Sequence, residues 1–226
     1  MKKLIIFGAG ETATIAAEFF SQDSNESIYG FGVDDKFLNG QKSFYNSPLL
    51  GTSQILSDYS PSKFRIFVAL SYGQLNQERL LKYNMFKDRG YEFATYISSK
   101  ASVWRTADIG ENCMIFENNN IQHNSIIEDN CILWSGNHIG HSSRIRNSSY
   151  ISSHVCIAGY ADIGNRCFLG INSSVNDKLK LADDCFVASG SVVTKNTQPN
   201  SIYSGNPAQR NIKVSAKKFF KVSDEI

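Results

Sequence analysis

From Ile97 onward, every sixth residue of this chain is aliphatic. The series runs Ile97, Val103, Ile109, Ile115, Ile121, Ile127, Leu133, Ile139, Ile145, Ile151, Ile157, Ile163, Leu169, Val175, Leu181, Val187 and Val193, seventeen positions without a miss. Ile, Leu and Val supply 45 of the 226 residues, so such a run by chance has odds of roughly one in a million million, and self-similarity at a fixed step marks repeat architectures. Two residues before each aliphatic position stands a second column, from Thr95, Ala101, Ala107 and Cys113 through Cys185 and Ser191, nearly all small. Four of the five cysteines fall in it.

Period-two alternation inside a period of six describes short strands with one aliphatic and one small side chain pointing inward, each closed by a turn. Three such strands make a triangular coil. Turn-forming residues recur where its corners belong, as in "IGEN", "IEDN", "IRNS", "IGNR" and "LADD". Coils stacked at the strand spacing of about 4.8 Å make a prism of between five and six turns, and its open ends need caps. The N-terminal domain is expected at one end and the C-terminal tail at the other.

This hexapeptide pattern resembles the left-handed parallel β-helix of hexapeptide-repeat acyltransferases. The resemblance supplies the hand, which runs against the usual right-handed crossover. The segment "TKNTQPNSIYSGNPAQRNIK" is similar to the one that follows the β-helix in that family, with Gly205, Asn206, Pro207 and Ala208 at its turn. The final "KVSAKKFFKVSDEI" reads either as a short basic amphipathic helix or as a solvated tail.

The first ninety-five residues read differently. "LIIF" followed by "GAGETATIAAEFF" is a strand, a glycine turn and an amphipathic helix, and "SIYGFGVDD" is a second strand ending in two acids. "FRIFVAL" and "YEFATYI" suggest two more strands, with helices near "SQILSDY" and "NQERLLKYNMFKDRG". This alternation is α/β with a parallel sheet. Gly8, Gly10 and Ala13, with Asp34 and Asp35 beyond the second strand, meet the loose form of the dinucleotide fingerprint. A dehydrogenase needs two such halves, and only one fits before the hexapeptides begin. The expected organisation is therefore a Rossmann-like domain over 1–95, a β-helix over 96–197 and a capping segment over 198–226.

A half-Rossmann unit joined to a left-handed β-helix resembles the nucleotide-sugar acetyltransferases that act on amino sugars or sialic acids. The resemblance implies a homotrimer that transfers acetyl from acetyl-coenzyme A to the amine of a nucleotide-linked amino (dideoxy) sugar in bacterial surface-polysaccharide or glycan biosynthesis. By position, the nucleotide contacts are Gly10, Glu11, Thr12, Asp34 and Asp35, with Ser71 at the end of the third strand. Glu11 departs from the pattern, because a carboxylate in this loop repels a pyrophosphate unless it points away or meets a sugar hydroxyl or amine. Tyr72, Asn76 and Arg79 stand at the adjacent helix start, Arg79 at a position expected to be solvated.

Of four histidines, His138 and His141 lie three residues apart. His141 comes two residues after Ile139, which places it at a corner, pointing out of the prism. The resemblance puts the family's catalytic histidine at this phase, usually followed by an acid; here Ser142 follows. Acetyl transfer to an amine needs a base for the amine proton and a donor for the oxyanion. Gly159, one coil beyond His141, offers its N–H for the second task, as the family uses a backbone N–H there. His123 is one coil before His141, and His138 and His154 face outward; all three are candidates for the sugar. The coenzyme groove, carried over by resemblance, includes Gly159, Ile171, Ser189 and Gly190.

Other classes fit less well. Net charge is +2, which gives no reason to expect nucleic acid. Gly8 and Gly10 break the N-terminal apolar run before a signal sequence forms, and no run is long enough to span a membrane, so a cytoplasmic protein is expected. The cysteines lack metal or redox spacing, and the histidine gaps do not match a carbonic-anhydrase-like zinc enzyme, so no metal is expected. A sugar or sialic-acid O-acetyltransferase and a non-catalytic nucleotide-sugar-binding scaffold are the remaining alternatives.

Overall fold

The structure is a computed structural model that describes residues 2–223. The chain divides into two compact units, Met1–Ser71 with Leu81–Tyr96, and Tyr72–Leu80 with Ile97–Ile226.

The first unit contains β1 (Lys3–Phe7), α1 (Glu11–Asp23), β2 (Ile28–Val33), β3 (Ser43–Phe44), β4 (Ser47–Gly51), α2 (Thr52–Asp58) and β5 (Phe64–Val68). Its sheet has the order β3-β4-β2-β1-β5 and is parallel except for the short β3. Ala13, Ala16, Ala17 and Phe20 bury the inner face of α1, and the Phe20 ring meets Phe67 edge-on at 5.1 Å. Helical spacing of small residues brings the helix close to the sheet. Gly8 leaves β1 with φ 146°, and a Cβ there would lie 2.7 Å from the Ala69 carbonyl oxygen, so only glycine fits between the two strand ends.

Two details depart from the sequence expectation. The strand β4 was not anticipated, because its buried Leu49 and Leu50 are a short apolar pair within a polar stretch. "YEFATYI" buries Tyr91, Phe93 and Tyr96 but pairs with β5 only through an Ile66–Phe93 bridge. Its last two residues, Tyr96–Ile97, form a short strand; over the rest, alternation reports burial and not a strand ladder.

The second unit is a left-handed parallel β-helix of two-residue strands stacked in three faces. The first face begins at Ser102–Val103 and passes through Asn120–Ile121, His138–Ile139 and Cys156–Ile157 to Val192–Val193. The second runs from Asp108–Ile109 to Lys180–Leu181. The third passes from Met114–Ile115 through Phe186–Val187 and is extended by Ser201–Ser204. Register is in steps of eighteen from Ser102 to Val193, as the hexapeptide period requires, and shortens only at the added strand, where Phe186 lies opposite Ile202.

Inside, the aliphatic column is at most 1% exposed from Ile115 to Val193. The small column packs beside it, and three of its serines are satisfied by backbone: Ser125, Ser143 and Ser149 donate to the carbonyls of Gly140, Ala158 and Gly164, each at 3.0 Å, whereas the buried Ser173 Oγ has no partner among the described residues. Cys131 and Cys167 Sγ donate to the Arg146 and Ala182 carbonyls at 3.3 Å. Burial pushes the Cys113 and Cys167 thiols up in pKa, which suits structural, unreactive cysteines. All five cysteines are free, and Cys156 is exposed.

The corners share one backbone feature. Every sixth residue from Asn112 to Gly190 has a positive φ, the left-handed conformation at the second central residue of a tight turn. The occupants are mainly Asn, Gly and Ser, as that conformation favours, but Tyr160 and Lys178 are among them.

After Val193 the tail adds two strands to the third face. Ser201–Ser204 pairs with Phe186–Val187, and Gln209–Ser215 folds back antiparallel on it. A four-residue helix (Ala216–Phe219) follows; Asp224, Glu225 and Ile226 lie outside the described residues. Outward-facing Tyr150, Phe168 and Phe186 form an aromatic ladder on the third face, covered by Tyr72, Phe219 and Phe220.

Candidate active site

The imidazole of His141 stands at the corner between the first and second faces. Its backbone is fixed on both sides: the His141 N–H donates to Gln122 Oε1 at 2.9 Å, and its carbonyl accepts from Tyr160 N–H at 2.9 Å. The His123 ring, one coil earlier, is stacked at 5.5 Å with an interplanar angle of 11°. The Tyr160 ring meets it at 5.1 Å and 85°. One coil later, a Cβ on Gly159 would lie 2.5 Å from His141 Cε1 and 2.8 Å from Nε2. The ring therefore occupies the space that the missing side chain leaves.

Gly159 brings a second property to this corner. Among the described residues its N–H meets no hydrogen-bond acceptor, whereas its carbonyl takes the Lys178 N–H at 3.0 Å. An unpaired N–H beside an imidazole is able to donate to an oxygen that is not part of the chain. His141, Gly159 and His123 thus come together as the sequence phase suggested. Gln122 and Tyr160 were missed, although both stand one coil plus one residue from His141.

The remaining candidates lie elsewhere on the prism. His138 is half-buried on the first face between Asn120 and Cys156, on the strand leading into the corner. His154 is exposed at the corner between the third and first faces, with φ 59°. Ile171, Ser189 and Gly190 lie at that same corner, in later coils; Ile171 is exposed, and its carbonyl accepts from Gly190 N–H at 2.8 Å. They occupy a different edge of the prism from His141.

In the first unit, Gly10 caps α1 without a side chain, and Glu11 is exposed in the first helical turn. Thr12 follows it, half-buried. Ser71 is half-buried beyond β5. The acid pair has work within the fold. Asp35 caps α2, accepting from Ser53 N–H at 3.2 Å and from Ser53 Oγ at 2.6 Å. Asp34 accepts from Thr52 Oγ1 at 3.2 Å and is paired with Lys82. Lys82 and Thr52 carried no sequence signal, because neither falls in the fingerprint.

Arg79 is the plainest correction. Its guanidinium is fully buried and donates to the carbonyls of Asn130, Ser148 and Ser149 and to Asn76 Oδ1. Asn76 is also buried and donates to the Cys167 carbonyl at 3.3 Å. Burial lowers the Arg79 pKa to about 10, which leaves it charged at neutral pH. The Tyr72–Leu80 segment packs with the β-helix, where the sequence reading had placed it in the first domain. Among the described residues no cluster of His, Cys, Asp or Glu could hold a metal, and no helix is long and apolar enough to cross a membrane.

Comparison with known proteins agrees with this architecture. The GMPPB C-terminal domain family matches residues 92–202. No curated protein sequence matches the chain. Among solved structures, PerB from Caulobacter crescentus, in complex with CoA and GDP-perosamine, is 22% identical, with 93% of this chain and 98% of that one covered at a TM-score of 0.82. The acetyltransferase domain of PglB from Neisseria gonorrhoeae, in complex with acetyl coenzyme A, is 22% identical, covering 93% and 99% at 0.80. WeeI from Acinetobacter baumannii is 16% identical, covering 93% and 100% at 0.63. The fold, an α/β unit followed by a hexapeptide β-helix, is shared across nearly the whole chain.

Proposed function

We propose that this protein transfers acetyl from acetyl-coenzyme A to the amine of a nucleotide-linked amino sugar, in the cytoplasm, for surface-glycan assembly. The observation that carries the reading is the pairing of the His141 imidazole with the unpaired N–H of Gly159 at one exposed corner. PerB and the PglB domain, whose fold it shares, are described with CoA and GDP-perosamine and with acetyl coenzyme A.

The amine nitrogen attacks the thioester carbonyl carbon, and His141 takes a proton from that nitrogen. Gly159 N–H donates to the oxyanion of the tetrahedral intermediate. Collapse breaks the carbon–sulfur bond, and the departing thiolate takes a proton from the His141 imidazolium. No covalent enzyme intermediate is required. The nucleotide end is assigned to Gly10, Glu11, Thr12, Asp34, Asp35 and Ser71. Asp34 reaches it through the Lys82 pair, and Asp35 mainly by holding the start of α2. His123, His138 and His154 are assigned to the sugar or to a neighbouring copy. The coenzyme is assigned to Gly159, Ile171, Ser189 and Gly190; because these span two edges of one prism, a coenzyme that touches both sets bridges two copies, which a homotrimer provides.

A free-thiol assay with acetyl-coenzyme A against nucleotide-linked amino sugars and their hydroxyl counterparts tests the reading. Thiol release with an amino sugar, reduced about a hundred-fold or more in His141→Ala with nucleotide-sugar binding retained, is the expected result. Release only with hydroxyl acceptors assigns O-acetylation instead. An unchanged rate in the variant removes His141 as the base.

A further inference from the structure

The reading above leaves His141 without the acid that would ordinarily orient a catalytic imidazole, since Ser142 follows it. The chain pays for an unusual residue beside it. Tyr160 has φ 58°, a conformation that costs an L-residue roughly 1–2 kcal/mol and is an outlier for a bulky side chain. Burial does not explain its choice, because the ring is 57% exposed. Most corners of this prism place Asn, Gly or Ser at the same step, so the backbone does not demand tyrosine either.

What the ring does touch is His141, edge to face at 5.1 Å and 85°. The neighbouring residue is Gly159, where a Cβ would lie 2.5 Å from Cε1 of that imidazole. The tandem Gly159-Tyr160 therefore makes room for the ring and then bounds it. With His123 stacked on it at 11°, the imidazole is confined by rings on two sides and by backbone from the next coil. Aromatic pairs in edge-to-face geometry have a directional preference that plain apolar contact lacks.

We infer that Tyr160 is a positioning residue for His141, holding its imidazole by ring packing in the orientation that an adjacent carboxylate would otherwise impose. This rests on the reading of His141 as the base. Backbone strain beside a reacting group is a recognised way to hold it in place, and small errors in the placement of such a group cost up to about a hundred-fold in rate.

The test compares Tyr160→Gly and Tyr160→Phe with the parent in the thiol-release assay. Glycine is at ease at positive φ, so Tyr160→Gly is expected to keep the parent's thermal midpoint or exceed it. Its kcat is nevertheless expected to fall ten-fold or more, with little change in KM for either substrate. Tyr160→Phe keeps the ring and is expected to recover at least half of the parent's kcat. In the free protein, the His141 Cε1–H resonance should lose its ring-current shift in Tyr160→Gly and retain it in Tyr160→Phe. A Tyr160→Gly variant with parental kcat overturns the inference. So does a higher KM for acetyl-coenzyme A at unchanged kcat, which makes Tyr160 a coenzyme contact, or a Tyr160→Phe variant as slow as Tyr160→Gly, which transfers the role to the hydroxyl. If the parent itself releases no thiol, the acetyltransferase reading fails, while the resonance comparison still decides whether the ring holds His141.

Discussion

At the level of single residues, the space around the His141 imidazole is set by two neighbours of opposite shape. Gly159 withdraws and Tyr160 projects. This makes Gly159 doubly informative, since it offers an N–H and also the space over which the imidazole lies. Gly159→Ala leaves the N–H in place but sets a methyl group 2.5 Å from His141 Cε1, closer than such contacts allow. The group that must yield is the end of a side chain, so the backbone need not move. The expected outcome is a fall of about ten- to a hundred-fold in kcat, with a thermal midpoint within a few degrees of the parent, read by steady-state assay and thermal unfolding. A large loss of stability would show that the coil, and not only the ring, needs the glycine. That His141 and Gly159 share a corner was legible in the sequence, because each has a fixed phase in the repeat. Tyr160 and Gln122 were not, because they act through contacts offset by one coil and one residue, which no column of identical positions displays.

At the scale of the repeated element, the period of six specified both inward columns, and their burial follows from it: the aliphatic column closes on itself from Ile115 to Val193. The turn chemistry was legible only in part. Motifs such as "IGEN" and "IEDN" located the corners, but the positive φ at every sixth residue also falls on Ser142, His154, Tyr160, Arg166 and Lys178, residues that do not announce it. The stacked backbone ladder overrides their local preference, since each corner N–H is tied to the coil before, as Asn172 N–H is to the Ser153 carbonyl at 3.1 Å. Asn172, at φ 56° and exposed, separates the two contributions. Asn172→Val puts a β-branched residue in the left-handed region and is expected to cost about 1–2 kcal/mol, measured by urea unfolding. Asn172→Gly, which meets no such barrier, is expected to stay within about 0.5 kcal/mol of the parent. Equal effects of the two would mean that the lost side chain matters and the backbone angle does not.

At the scale of the whole chain, the division into an α/β part and a β-helix was readable from the change in period alone, from helical and strand alternation to six. What periodicity could not report is that Tyr72–Leu80, lying between elements of the first unit in sequence, packs with the second. A helix start rich in polar residues gave every sign of solvent exposure, yet Arg79 and Asn76 are buried against carbonyls of the β-helix. The reason lies in the prism itself. Its corners present the Asn130 and Ser148 carbonyls, which successive coils leave available, and a guanidinium with several donors can satisfy both at once. A hydrophobic plug could fill the same space but would strand those oxygens, each at a cost of about 1–3 kcal/mol when buried. Arg79→Ala removes the donors and opens a cavity together, so it is expected to destabilise the protein by about 3 kcal/mol or more, a size comparable to breaking a buried charged contact. Arg79→Met restores much of the volume without the donors, and Arg79→Lys keeps the charge with fewer directed bonds. If hydrogen bonding to Asn130, Ser148 and Ser149 is what fixes the segment, Lys should be the mildest of the three in urea unfolding, and Met should lie close to Ala. Should Met instead match the parent, packing volume alone holds Tyr72–Leu80 on the β-helix, and the charge is incidental to it.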